Sequence, residues 1–145
     1  MPTVAHALLA LGIEELVICD RDEQRAATLR NNLAAQIDAS KVRVEADPAS
    51  AIAEADGVVN STPIGMASHP GMAVPAGSLR PDLWVADIIY FPLETALLAT
   101  ARRAGCRTMN GSGMAVHQAA AAFEIFTGRQ ADADRMTRTF LALGS

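Results

Sequence analysis

Short apolar runs alternate with stretches of helical spacing along almost the whole of this chain. That alternation restricts the fold more than any other feature. "ELVICD", "KVRVEA", "DGVVNS", "LWVADII" and "CRTMN" read as strands. The first helix is predicted over Thr3–Leu11, with Val4, Ala7, Leu8 and Leu11 on one face and Gly12 as its stop. "RDEQRAATLRNNLAAQI" is a second helix, with acids near its start, where they suit the macrodipole. "DPASAIAEA" is a short third, with Asp47 as N-cap and Pro48 in its first turn. "LETALLATARRAG" closes at Gly105. After a turn "GSG" come "MAVHQAAAAFEIFTG" and "DADRMTRTFLALG".

Strands joined by helices form a parallel sheet covered on both faces, so the expected class is α/β, a Rossmann-like doubly wound and mostly parallel sheet. The exception is the step from third to fourth strand, where a Pro/Gly-rich loop from Thr62 to about Leu79 replaces the helix. Ligands in such sheets sit at the carboxyl ends of the strands. Asp20, Asn60–Met66, Asp87–Tyr90 and Asn110–Gly113 all fall there. The chain opens with a helix, without the strand and G-x-G-x-x-G that start a dinucleotide fold. The first strand and its glycine-rich loop are therefore read as lacking.

Composition narrows the class of partner. With 145 residues and half of them hydrophobic, the chain has enough material for one globular domain. A net charge of −4, no basic stripe and few aromatics argue against nucleic acid. No apolar run is long enough to span a bilayer, and "MPTVAHALLALG" lacks the basic flank of a leader, so a cytoplasmic protein is expected. Cys19 and Cys106 read as reduced core residues. His6, His69 and His117 share no metal-ligand spacing, so no metal site is expected.

Three stretches carry a more specific signal. "VVNSTPIGM", "DIIYFPLETALL" and "NGSGMAVHQAAAAFEIFTG" together resemble the C-terminal half of the shikimate/quinate dehydrogenases, in order and over nearly the whole chain. That resemblance implies hydride transfer between a nicotinamide cofactor and the 3-hydroxyl or 3-keto group of shikimate or quinate. "GMASHPGMA" is most similar to the quinate/shikimate branch, which favours NAD.

Carried onto this sequence, the resemblance gives Asp20 to the adenine ribose hydroxyls, and Arg25 to the adenine. The acids of "DRDEQR" disfavour a 2′-phosphate, so NAD is expected over NADP. The alternative for Asp20 is a solvated helix start with a capping Asp. Thr62, Pro63, Ile64, Gly65 and Met66 would line the nicotinamide ribose, with Gly65 admitting main chain close to a ligand and Met66 giving a soft wall. Ile88 would pack on the nicotinamide and Gly111 would approach it. Tyr90 and Gln118 would face the substrate. Gln118 shares a helical stripe with Met114, Ala121 and Ile125, where an amide must find partners. Asp87 is expected to cap or orient a loop and has no ligand role.

The resemblance also implies a proton-transfer lysine and aspartate on an N-terminal substrate domain, which this sequence does not match. Lys41, the only lysine, lies at a strand start and is not that residue. No catalytic residue is assigned, and little turnover is expected of this chain alone. In the family's strand order the lacking strand lies between the first and third strands, so two interior edges would stand unpaired. A complementing N-terminal domain, or a homo-oligomer, is the expected partner beside the small-molecule substrate. The competing reading is a non-catalytic module binding a dinucleotide or a partner chain. A different amino-acid- or folate-linked dehydrogenase is disfavoured by "HQAAAAFEIFTG".

Overall fold

The computed structural model describes residues 2–143. The closing glycine of the last expected helix, Gly144, lies outside them. The chain divides into two compact units, Met1–Ala55 and Asp56–Ser145.

In the first unit the order is α1 (Pro2–Ala10), β1 (Leu16–Ile18), α2 (Glu23–Ala34), β2 (Val42–Val44) and α3 (Pro48–Ala53). β1 and β2 run parallel, with Leu16 opposite Val42 and Ile18 opposite Val44. Ala5, Leu33 and Val42 are buried together, and Leu9, Leu16, Ile18, Leu29 and Ile37 pack on them. The face of α1 that meets this core is thus centred on Ala5 and Leu9. The stripe expected from spacing is displaced: Ala7 is exposed and Leu11 is 81% exposed. Nearly every residue of α1 is apolar, so periodicity alone does not select the inward side. Gly12, at φ +85, ends the helix as expected. Asp47 caps α3 by accepting from the Ala49 and Ser50 amides, with Pro48 behind it.

The second unit runs β3 (Gly57–Asn60), β4 (Trp84–Asp87), α4 (Ala96–Arg103), β5 (Arg107–Met109), α5 (Ser112–Thr127) and α6 (Ala133–Leu143). Its three strands are parallel in the order β3-β4-β5. Gly57 stands opposite Trp84, and Asn60 opposite Asp87. Side chains alternate between faces, so Val85 and Asp87 point one way and Trp84 and Ala86 the other. Leu97, Leu98 and Ala101 of α4 are buried where the helix packs on β4 and β5. Each fully buried leucine contributes about 1.5–3 kcal/mol. Thr95 caps α4, and Gly105 at φ +85 closes it. The expected "GSG" turn is shorter than read, because α5 already begins at Ser112; Gly128 at φ +65 ends it. α6 packs on α5.

The expected parallel α/β architecture is present, but as two hydrogen-bonded sheets, β1-β2 and β3-β4-β5. Among the described residues no strand pairs with β1 on the side away from β2, nor with β3 on the side away from β4. The strands are also shorter than their apolar runs, three or four residues each. Both cysteines are free; Cys106 is buried, whereas Cys19 lies just past β1 and is exposed, which corrects its expected core placement. Among the described residues no helix is long and apolar enough to cross a membrane.

Candidate functional site

In the second unit the carboxyl ends of β3, β4 and β5 are knitted together by main-chain bonds. The Ile88 amide donates to the Asn60 carbonyl at 3.0 Å, and the Gly111 amide to the Ile89 carbonyl at 3.1 Å. Each strand therefore delivers its following loop to one edge of the sheet.

The loop after β3 is shaped from within. Asn60, only 3% exposed, accepts from the Thr62 amide at 3.1 Å and the Thr62 hydroxyl at 2.7 Å, while its Nδ2 donates to the Ile64 carbonyl at 3.0 Å. Thr62 Oγ1 in turn accepts from the Ile64 amide at 3.2 Å. The next bond, Met66 N–H to the Pro63 carbonyl at 3.1 Å, closes a four-residue turn with Gly65 in its third place. Gly65 stands at φ +114, the conformation that such a turn reserves for glycine. A side chain there would also press on Ile89 Cδ1, 3.1 Å away. Pro63 is exposed and Met66 is 41% exposed, so the outer wall of the turn is open to a ligand.

At the end of β4, Asp87 is 2% exposed. Its Oδ1 accepts from Asn60 Nδ2 and from the Ile89 amide, both at 3.1 Å, and its Oδ2 accepts from the Thr95 hydroxyl at 2.7 Å. A buried acid is tolerable only with its oxygens satisfied, and here they are. Among the described residues no buried side-chain nitrogen or oxygen lacks a partner. Ile88 is half-buried. Tyr90 is 51% exposed, with its ring edge-on to Phe140 at 6.2 Å, so it is not a core tyrosine.

Two expectations change in physical basis. Gly111 has an internal reason to be glycine, because a Cβ would overlap the Ile88 carbonyl oxygen and lie 2.8 Å from that of Ile89. No ligand is needed to explain it. The stripe of Met114, Gln118, Ala121 and Ile125 faces solvent rather than a core: Gln118 is exposed and Ile125 is 80% exposed. Among the described residues of α5 only Val116 is buried. The cost of a buried amide therefore does not bear on Gln118.

In the first unit Asp22, not Asp20, caps α2, accepting from the Arg25 amide at 3.0 Å. Asp20 follows β1 and takes the Asp22 amide on Oδ1 at 3.0 Å, while Oδ2 lies 4.0 Å from the Arg25 guanidinium. The alternative of a capping Asp20 thus falls to its neighbour. A half-buried acid at the end of a parallel strand, beside Asp22 and Glu23, suits neutral hydroxyls better than a phosphate. Next to it, partial burial and then the Glu45 carboxylate push the Cys19 thiol upward. Lys41 is exposed in a 3-10 turn before β2.

Sequence reasoning gave no role to Asn60 or Thr95. Asn60 was findable: like Asp87, it is a polar residue closing an otherwise apolar strand; Thr95 was read inside its helix, whereas it is the cap before Ala96.

The family of the shikimate 5′-dehydrogenase C-terminal domain matches residues 111–139. The chain is 46% identical over 142 residues to a quinate/shikimate dehydrogenase (NAD(+)) of Corynebacterium efficiens, covering 97% of this chain and 50% of that protein. It is 47% identical over 135 residues to a shikimate dehydrogenase (NADP(+)) of Streptomyces avermitilis, covering 92% and 46%. Among solved structures, the quinate dehydrogenase from Corynebacterium glutamicum in complex with NAD superimposes with a TM-score of 0.90 at 43% identity, covering 97% of this chain and 51% of that one. The chain spans about half the length of the curated relatives it matches.

Proposed function

We propose that this chain, which corresponds to the C-terminal half of the quinate/shikimate dehydrogenases, supplies the dinucleotide side of their reaction. That reaction is hydride transfer between NAD(P) and the 3-hydroxyl or 3-keto group of quinate or shikimate, in the cytoplasm. The observation that carries the reading is the loop after β3. It is held by the buried Asn60 at the carboxyl end of a parallel sheet and leaves Pro63 and Met66 open. Strand ends of this kind are where such sheets bind nucleotides.

Residues of the chain fit the parts of a dinucleotide. Asp20 offers an oxygen to ribose hydroxyls, with the exposed Arg25 beside it for the adenine. Thr62, Pro63, Ile64, Gly65 and Met66 form the wall for the nicotinamide ribose, with Ile88 toward the ring. Gly111 serves by letting α5 start tight against the end of β4. Tyr90 and Gln118 present exposed polar groups toward substrate. The bound nicotinamide supplies or accepts the hydride; these residues bind and orient it. Proton transfer at the substrate hydroxyl needs an acid–base group, and none is assigned here. The acids around Asp20 favour NAD over NADP.

The test is titration of the purified chain with NADH and NADPH, followed by nicotinamide fluorescence. NADH should bind more tightly, and Asp20→Asn should narrow the difference. A parallel arm supplies the N-terminal half of a relative and measures quinate- and shikimate-dependent reduction of NAD. NADH binding without any activity in that arm would leave a non-catalytic dinucleotide module. No binding and no activity would refute the proposal.

A further inference from the structure

We propose that Asp87 is a positioning residue that couples the loop after β3 to the loop after β4, so that the segments assigned to cofactor and substrate hold their places together. Its importance for ligands rests on the functional reading above; the coupling itself does not. Each of the three neutral donors on Asp87 comes from a different segment: Asn60 from the last position of β3, Ile89 from the loop that carries Tyr90, and Thr95 from the cap of α4. Asn60 then passes the constraint on, through its bonds to Thr62 and Ile64.

A continuous chain of bonds therefore runs from Ile64 through Thr62, Asn60 and Asp87 to Ile89. Asp87 itself touches none of the residues assigned to ligands on the β3 side. An acid this buried is stable only while its donors stay, and the donors keep their geometry only while the acid stays. Losing a donor on one side leaves unsatisfied groups on the other. The Thr95 hydroxyl adds a third anchor, because it both donates to Asp87 Oδ2 and accepts from the Leu98 amide at 3.3 Å. The two loops are thereby tied to the start of α4, whose inner face is buried through Leu97, Leu98 and Ala101.

The experiment is amide hydrogen exchange on the full chain, read at Thr62, Ile64 and Ile89 against Val85 in mid-strand. Asp87→Asn should speed exchange at all three by roughly tenfold or more, as expected for loosening a buried hydrogen-bond network. Asn60→Ala should do the same at Ile89, which Asn60 does not touch. Thr95→Ser keeps the hydroxyl and should stay near wild type, whereas Thr95→Val should not. Val116→Ala, outside the network, lowers the melting temperature without singling out these amides.

Faster exchange at Ile89 alone in Asp87→Asn, with Thr62 and Ile64 unchanged, overturns the coupling. If Asp87→Asn fails to fold, the Asn60→Ala effect at Ile89 and the Thr95 pair decide the same question. NADH affinity should fall about tenfold in Asp87→Asn and Asn60→Ala but not in Val116→Ala. A wild-type chain that binds no NADH would refute the functional reading while leaving the exchange result to judge the coupling.

Discussion

Replacing Gly111 with alanine tests whether that glycine serves the fold or a ligand. The added methyl carbon would overlap the Ile88 carbonyl oxygen, lie 2.7 Å from the Ile88 carbonyl carbon and 2.8 Å from the Ile89 oxygen. Carbon atoms pack best at about 3.5–4.0 Å, so main chain on one side must give by roughly 0.7 Å or more. The obstacles are backbone atoms at the end of β4, not the tip of a flexible side chain. Overpacking of this kind costs about 1–3 kcal/mol. The Gly111 amide also donates to the Ile89 carbonyl at 3.1 Å, and disturbing that bond adds about 1 kcal/mol. A loss of about 2–4 kcal/mol corresponds to a fall of roughly 8–16 °C in Tm for a chain of this size. A methyl group on Gly113, two residues on, would meet nothing within 4 Å. Gly113→Ala should therefore be neutral or gain up to about 1 kcal/mol from helix propensity. Circular-dichroism melts of both variants, without any nucleotide, make the measurement. A Gly111→Ala protein melting within about 3 °C of wild type would refute the reasoning and return Gly111 to a ligand role.

Gly57→Ala should drive the Trp84 indole off β3, since a Cβ there would overlap the ring. The chain has a single tryptophan, so its emission should shift and the melt fall by about 1–3 kcal/mol; an unchanged spectrum would contradict the packing. Asp47 is held below its ordinary value of 3.8 by bonds from Ser50 and Ala49. A depressed folded-state value means that its stabilisation is full above the ordinary range and is lost as pH falls through the folded value. Asp47→Asn keeps a capping side chain and should flatten the acid limb of the melting profile below about pH 4; an identical acid limb would sink this. Cys19 should alkylate with an inflection above 9.0, and Glu45→Gln should bring it down, because Glu45 is among the groups raising it; no movement in Glu45→Gln would remove that cause.

What the sequence made legible was mostly punctuation. Asp47–Pro48, Gly12, Gly105 and Gly128 mark helix ends by chemistry that needs no distant partner. That neighbouring strands pair in parallel followed from the alternation of elements. Inward faces were harder. In α1 almost any side is apolar, and the Ala5–Leu9 side is chosen by what β1, β2 and α2 present to it. The Gln118 stripe satisfied a helical spacing yet faces solvent. Glycine is ambiguous in another way: Gly111 is close-packed against the protein's own backbone, and a sequence does not distinguish that from close approach to a ligand. The Asn60–Asp87 pair was foreshadowed by polar residues ending apolar strands, but its partners lie far along the chain.

The pairing of β3 with β4 is secured at both tips by unlike complements. At the start an indole needs a bare backbone beneath it, and at the finish an amide meets an acid. Sliding one strand by a single position would turn Asn60 to the opposite surface, strand the acid without its amide, and set a bulky side chain under the ring. Misaligned forms are therefore penalised twice by a single slip, through a lost hydrogen bond at one tip and through volume at the other.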